Sequence, residues 1–429
     1  MKPRWARLKN SGILRWMRPG TGMKRLAALT AAGFALALTA ACLLWAQVSP
    51  ESLRRFRGSV MLMALGVLVF LAGVGALVAK LWQTRKQSGM VTARWKDEIF
   101  RKKMLDHGPR IVAIGGGSGM STLLRGLKTL SSNLTAVVTV ADNGGNSGQL
   151  REDLGVLPPG DIRNCIIALS QVEPVMERLM QYRFPEGTLQ GQCLGNLLLV
   201  ATGDISGGFL EGIRTLDDVL AVTGQVLPVS LENLSLNGIM SGGQLVQGES
   251  NLGRAQAEVG GRIHRVWLEP GGAQPLPEVL DAIRQADIIV IGPGSLYTSL
   301  LPNLLIDGVC SAVKRSRAVK FYVANIMTQP GETQGYTLQD HLKAIWDHCG
   351  RGLIDIALVN RAGRIPEDIL AHYRADGAEC VEYDLHSAED EGIELIEADL
   401  AEYKNGKIRH QSDLLALKIM ELYSKRRRR

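Results

Sequence analysis

The stretch from Ile111 to Ser170 restricts the fold more than any other part of this chain. An apolar run, Ile111 to Ile114, passes directly into the glycine-rich turn GGGSGMS (Gly115 to Ser121) and then into LLRGLKTL, which has helical spacing. That order reads as strand, tight loop and helix. A second apolar run, Ala136 to Ala141, follows at βαβ spacing and ends in DNGGNSGQLRED, from Asp142 to Asp153. A third loop, LPPGDIRN (Leu157 to Asn164), leads into the apolar helix CIIALS. Glycines permit positive φ and close approach to a ligand, and the first turn of the following helix offers unpaired N–H groups and a partial positive charge. Such loops at the carboxyl ends of parallel strands lie where open α/β sheets bind their ligands. One loop of this kind is equally a device for close helix packing. Three in series point to a phosphate site.

The later sequence continues the pattern. Val172 to Phe184 has helical spacing, and QCLGNLLLVAT (Gln192 to Thr202) reads as a glycine-entered helix. From about Pro228 to Pro270 short runs separated by glycine and asparagine predict a β-rich insertion. A helix at Pro277 to Gln285, a strand at Asp287 to Ile291 and a fourth polar loop from Gly292 resume the alternation. A strand at Lys320 to Ala324 then runs into NIMTQPGET. The expected fold is a Rossmann-like, doubly wound α/β sheet with a β-rich insertion.

Charge divides the chain. Residues 1–110 hold 20 Lys and Arg against 4 acids, whereas the remainder holds 29 against 38. The α/β part is therefore acidic, which argues against a nucleic-acid partner. Within the basic part, Leu26 to Val48 and Ser59 to Ala79 carry no charge before Lys80, and each is long enough to cross a hydrocarbon core of about 30 Å. The segment before the first run holds eight Lys and Arg and a further cluster follows the second, but only Arg54, Arg55 and Arg57 lie between them. The positive-inside rule then predicts a two-pass transmembrane hairpin in the plasma (inner) membrane, with both ends and the main domain cytoplasmic. Trp45 and Trp82 sit where interfacial aromatics are expected. The domains are thus expected at 1–104, anchor and basic connector, and 105–429, the α/β domain.

Several familiar motifs are absent. The first loop lacks the Lys-Ser or Lys-Thr of a P-loop, and Met120 stands where GxGxxG needs its third glycine, which leaves a dinucleotide-dependent oxidoreductase as a weak alternative supported only by Asp142. Neither HExxH nor GxSxG occurs. Six isolated cysteines form no CxxC pair, consistent with a reducing compartment and no structural zinc.

The blocks GGGSGMSTLLRGLK, VTVADNGGNSGQLRED, LPPGDIRNCIIALS, GNLLL, IIVIGPGSLYTSLLPNLL and YVANIMTQPGET together resemble the gluconeogenesis-factor (YvcK-like) branch of the 2-phospho-L-lactate transferase (CofD-like) family. The resemblance runs from about Arg110 to about Ile419 and excludes the amino-terminal hairpin. It implies a nucleotide-containing ligand. One branch transfers a phospholactyl group from a guanosine diphosphate carrier with magnesium. The other is associated with UDP-sugars such as UDP-N-acetylglucosamine, with cell shape and with growth on gluconeogenic carbon. The family's second loop commonly reads DDGGSSG, so Asn143 and Asn146 are departures here. Gln192 likewise stands where many members carry histidine. Asp142 is then left without a second acid beside it.

The expected site follows from these readings. Gly115, Gly116, Gly117, Ser118, Gly119 and Ser121 face phosphate or ribose, Asp142 is the candidate for magnesium or a ribose hydroxyl, and Asp142 and Asp161 are the candidate catalytic general bases. Asn143, Gly144, Gly145 and Ser147 line the second side, with Asn164 and Asn196 beside them. Gly292, Gly294, Ser295 and Tyr297 close the far wall, next to Asn325 and Thr328. Asp161 and Asn196 also occupy positions suited to helix caps, and Tyr297 suits packing. The resemblance adds Tyr373 and Arg409 as contacts to base or diphosphate. Ligand-sensing regulator and transferase both remain open as functions, and a homo-oligomer is compatible with either.

Overall fold

The computed structural model describes residues 23–46, 60–61, 63–76, 78 and 103–427, apart from 172–173, 259, 362–364, 385–391 and 405. The chain divides into two compact units, Met1–His107 and Gly108–Arg429.

In the first unit the helix Met23–Ala46 pairs with a second helical stretch that includes Met63–Ala76. The pairing is antiparallel and rests on small residues. A Cβ at Gly33 would come within 2.6 Å of the Phe70 nitrogen, one at Gly66 within 2.5 Å of the Ala37 nitrogen, and one at Gly73 within 2.6 Å of Thr30 Oγ1. Glycines at these positions let the two backbones approach closely. The outer surface is apolar, with Phe34, Leu38, Leu65, Leu68 and Leu71 all exposed. A helical hairpin is therefore present. Among the described residues, however, no single helix is both long and apolar enough to cross a membrane, the apolar stretches being Thr30–Thr39 and Met63–Ala76. Two complete spans are not shown. The connection Ser49 to Gly58 and the basic residues 80–102 lie outside the described residues.

The second unit is built on seven parallel strands. They are β1 (Ile111–Gly115), β2 (Leu134–Val138), β3 (Gln225–Pro228), β7 (Ile288–Ile291), β8 (Val319–Val323), β9 (Ile356–Asn360) and β10 (Glu394–Ala398), in the order β10-β9-β8-β7-β1-β2-β3. The central strands IVAIG and IIVI are apolar at nearly every position because helices cover both faces of the sheet, and all their residues are buried. From β1 the chain winds outward through β2 to β3, then returns to the other side of β1 with β7. The reversal lies between β1 and β7. Ile111 to Ile114 pair in register with Leu134 to Val137 on one side and Ile288 to Ile291 on the other. The apolar run expected at Ala136 to Ala141 is partly loop, since the strand ends at Val138.

Four helices begin in or just after the glycine-bearing loops: α1 (Gly117–Leu127), α2 (Gly145–Leu154), α3 (Gly160–Leu169) and α4 (Leu194–Ser206). The insertion forms an antiparallel sheet in the order β5-β4-β6, from β4 (Ser235–Met240), β5 (Leu245–Gln247) and β6 (Ile263–Glu269). It also holds a helix that the hairpin-like sequence did not announce, α5 (Glu249–Glu258). Toward the carboxyl end come α6 (Leu338–Cys349), which starts with a capping box between Thr337 and Asp340, and α7 (Glu367–Ala375). A hairpin of β11 (Ala401–Lys404) and β12 (Lys407–His410) then leads into α8 (Ser412–Arg426).

Helix α8 closes the fold by packing on α1. Gly126 makes this contact: a Cβ there would collide with the Ser412 carbonyl and lie 2.9 Å from Ala416 Cβ. Gly126→Ala should therefore destabilise the second unit by about 1–3 kcal/mol, despite alanine's better helix propensity. Urea unfolding of that unit measures it, and a neutral or stabilising result would contradict the close α1–α8 approach.

Candidate functional site

The turn after β1 and the turn after β7 diverge where the strand order reverses, and the cleft between them opens there. A cavity of about 410 Å³ occupies this place, with Gly116 to Gly119 on one side and Pro293 to Ser295 on the other. The two turns nearly touch, for a Cβ at Gly119 would stand 2.6 Å from the Pro293 carbonyl oxygen. Gly117, at the start of α1, has φ +66° and its N–H is engaged by Asp161, while Ser118 and Gly119 of the same turn line the cavity. No lysine lines the cavity, so an anion held here meets backbone dipoles.

The wall beyond β7 is clasped in place. Asn325, which follows β8, donates from Nδ2 to the Gly294 carbonyl at 2.9 Å and accepts from the Gly294 N–H at 3.3 Å. Ser295 donates to Gln329 at 2.7 Å. Thr328 Oγ1 accepts the Glu379 N–H at 2.9 Å. The outer wall comes from the far end of the chain: Tyr373 on α7 accepts the Ile408 N–H at 2.8 Å, which ties α7 to the β12 hairpin beside Arg409. Gly116, Gly117, Ser118, Gly119, Gly294, Ser295, Asn325, Thr328, Tyr373 and Arg409 all line the cavity.

Beside this cleft lies a cluster of carboxyls. Asp142, just past β2, accepts the Gly144 N–H at 2.8 Å, and burial still raises its pKa. Asp161, in the first turn of α3, makes no cap. It lies against Gly116 instead, where an added Cβ would come within 2.5 Å of its Oδ2. Burial and then the charge of Asp142 push Asp161 up to about 6, against hydrogen bonding from the Gly117 backbone. Glu249 arrives from the insertion at the start of α5, and its carboxyl and that of Asp142 both lie beside Gly144, where an added Cβ would stand 3.7 and 3.4 Å from them. Burial and the neighbouring Asp142 raise it to about 8. The expectation that Asp142 has no second acid beside it is thus overturned: residues far apart in sequence supply two. Asn143 serves this docking, since its Oδ1 accepts the Ser250 N–H at 2.9 Å.

Among the described residues no three acid, histidine or cysteine side chains are arranged to hold a metal ion. Magnesium needs only one or two carboxylates when phosphate oxygens complete its shell. Asp142 and Glu249 are the residues that would hold a magnesium ion if phosphate oxygens completed its shell, and neither of them lines the cavity itself.

Other expected contacts are engaged elsewhere. Tyr297 is only 2 % exposed, and its hydroxyl pairs with Tyr336 at 3.0 Å while its N–H donates to the buried Glu332 at 2.7 Å. It packs beneath the wall rather than facing the cleft. Asn164 and Asn196 accept from the buried Arg163 at 2.8 and 2.7 Å, so they serve that guanidinium. Asn196 also donates to Asn146 at 2.7 Å, which draws the second loop onto α4. Gly115 ends β1 against Leu300, Ser121 donates to the Gly117 carbonyl at 3.2 Å, and Gly292, at φ +82°, sits at the turn before Pro293. Ser147 Oγ accepts the Gly160 N–H at 3.1 Å, joining the second and third loops, while Gly144 caps α2 and Gly145 opens it. None of these lines the cavity. Sequence reading missed Gln329, His410 and Glu249. Gln329 lies within the quoted block NIMTQPGET; the other two carried no local signal.

Parallel sheet, reversal point and glycine-walled cleft define a Rossmann-like domain. The chain belongs to the family described as 2-phospho-L-lactate transferase CofD, whose sequence pattern matches residues 111–401. The gluconeogenesis factor of Bacillus subtilis is 47% identical over 315 residues, covering 73% of this chain and 98% of that protein. The crystal structure of protein BH3568 from Bacillus halodurans matches with a TM-score of 0.70 and 48% identity, over 73% of this chain and 99% of that one. A putative gluconeogenesis factor of Nostoc sp. is 40% identical over 429 residues, 95% of this chain and 92% of its own. That similarity reaches into the first unit, whereas the two Bacillus proteins correspond in extent to the second.

The carboxyl cluster has a pH signature. Glu249 and Asp161 titrate higher in the fold than the ordinary 4.5 and 3.8, so between roughly pH 4 and 8 these two groups bind more protons in the folded chain than in the unfolded one. Stability from these groups is full at the acid end and is lost as pH rises. Glu249→Gln should match the wild-type second unit near pH 4 and exceed its stability by about 1–3 kcal/mol at pH 8 without metal or ligand. Urea titrations at the two pH values test this; parallel losses in both proteins would remove Glu249 from the cluster.

Proposed function

We propose that the cleft binds a nucleoside diphosphate sugar, a UDP-sugar such as UDP-N-acetylglucosamine, and that the protein is a regulator of cell shape, envelope and carbon metabolism. The carrying observation is the 410 Å³ cavity at the reversal point, walled by the Gly116 to Gly119 backbone and faced by Tyr373 and Arg409. Backbone N–H groups suit the diphosphate, Arg409 adds one positive charge, and an aromatic ring suits a base. Names of relatives as gluconeogenesis factors support the regulatory side.

A second reading, a magnesium-dependent transferase of the 2-phospho-L-lactate type using a nucleotide diphosphate donor, is favoured by one observation. Asp142, Asp161 and Glu249 gather behind the phosphate loop. Magnesium bound at Asp142 would neutralise diphosphate charge. Asp161, held near neutrality, is suited to accept a proton from an acceptor hydroxyl.

Calorimetry with UDP-N-acetylglucosamine, UDP, GDP and NAD decides among these. Saturable binding of the UDP ligands without turnover is expected, weakened at least about tenfold by Gly119→Ala, whose Cβ would wedge the two turns apart. Donor turnover to an identified acceptor, abolished by Asp142→Ala, replaces the regulator reading with the transferase. Tight NAD binding alone would sink both.

We further propose that the first unit is a two-pass anchor in the plasma membrane with the second unit cytoplasmic. The apolar outer face of the paired helices and the basic flanks support this. Deleting residues 1–103 should move the protein from the membrane to the soluble fraction, and a reporter between Gln47 and Arg55 should read as extracytoplasmic. A truncated protein still in membranes, or a cytoplasmic reporter signal, contradicts it.

A further inference from the structure

The amino ends of the parallel strands, opposite the ligand cleft, carry a basic groove with no part in the site at the other edge. Helices Pro277–Gln285 and Val309–Arg315 pack against each other. A groove of about 660 Å³ there is lined by Arg284, Arg315 and Arg317 over Leu280 and Ala312, with no carboxylate among its lining residues. All three arginines are exposed. Arg284 pairs with Asp281 outside the groove. Arg315 and Arg317 have no hydrogen-bond or ion-pair partner among the described residues.

The surrounding edge carries further arginines, each set among acids: Asp281, Asp287, Asp355 and Glu394 lie there too. Arg284 precedes β7 and Arg317 precedes β8, which puts both at the amino ends. Arg110, exposed just before β1, donates to Gln285 at 3.2 Å, so the entry of the chain into this unit lies beside the same helix. Arg426 reaches Asp355 and Glu394, next to or at the starts of β9 and β10, at 3.6 and 3.8 Å, bringing the basic end of α8 to that edge. Beyond residue 110 the chain holds 29 Lys and Arg against 38 acids. The groove, with three arginines and no carboxylate in its lining, is therefore a local concentration of positive charge on an acidic unit whose net charge alone would repel an anionic surface.

We propose that this arginine groove docks onto an anionic lipid bilayer by binding phosphate-bearing headgroups, holding the amino edge of the sheet against the membrane and leaving the cleft open to solution. Guanidinium groups bind phosphate bidentately, and several cations near one surface add their attraction to anionic lipid. Exposure decides between a bilayer and a free anion. A soluble phosphate calls for buried, convergent donors, whereas three solvent-exposed arginines strung along an edge match a plane of headgroups. The hairpin reading contributes only that a bilayer is close by.

The test uses residues 108–429, since the Bacillus halodurans relative, matched over 99% of its length, stands as such a unit by itself. Its cosedimentation is measured with phosphatidylcholine vesicles and with vesicles containing about one third phosphatidylglycerol. Wild type should prefer the anionic vesicles and be released by salt. Combined Arg284→Glu, Arg315→Glu and Arg317→Glu should lower partitioning at least about tenfold, while Arg178→Glu, Arg254→Glu and Lys343→Glu, with the same change in charge, should lower it far less. The milder pair Arg315→Gln and Arg317→Gln, with an unchanged melting temperature, should show a partial loss. Equal losses in groove and control variants, or no preference for anionic vesicles, overturn the proposal. So does calorimetric binding of inorganic phosphate in the groove without vesicle binding. A full-length chain found soluble would refute the hairpin and leave the groove result standing, so the two failures are distinguishable.

Discussion

The ligand edge depends on how closely the turn leaving β1 approaches the turn leaving β7. Gly119 lies so near the Pro293 carbonyl that any side chain there would push the turns apart. The mutual hydrogen bonds of Asn325 and Gly294 then fix the second turn to the strand beyond it. Buried parallel strands make this approach reproducible, because their register leaves little freedom in where each turn begins. Once the turns are set, Gly117, Ser118 and Gly119 of the first turn of α1 line the cavity, and a helix amino terminus there favours negative charge.

The carboxyls behind that loop oppose one another. Asp142, Asp161 and Glu249 all titrate above their ordinary range, burial being the first cause in each. Glu332 adds to this, pushed up to about 7 by burial while accepting from the Tyr297 and Thr298 backbones. Protons relieve the repulsion in the free protein. A cation brought in with a diphosphate would relieve it in the bound one, which couples ligand, metal and protonation in one place. The insertion takes part directly: Glu249 opens α5, and Asn143 receives the Ser250 N–H of the same turn.

Long-range placement also explains which polar residues serve the fold instead of the ligand. Arg163 is buried, with its two terminal nitrogens engaged by Cys193, Asn164 and Asn196 while its Nε has no hydrogen-bond partner. A buried cation without such partners is costly, so the two asparagines that looked like ligand contacts are committed to it. Tyr297 is committed in the same way to Tyr336 and Glu332. In the first unit the glycines act by close helix approach, since the apolar residues there face outward and cannot form a core.

The sequence by itself determined the alternation of strands and helices, the glycine turns and the acidic α/β part behind a basic, apolar beginning. These are local: strand burial, helix periodicity and positive-φ turns are each written within a dozen neighbouring residues. Gly116 to Gly119, Gly294 and Asn325 could be read as cleft residues for that reason. Tertiary structure alone decided that Glu249 stands beside Asp142, that α7 and β12 bring Tyr373 and Arg409 to the outer wall, and that Tyr297, Asn164 and Asn196 turn inward. Each of those outcomes depends on contacts between distant segments. Strand order and helix packing fix such contacts, and no short stretch of sequence carries them.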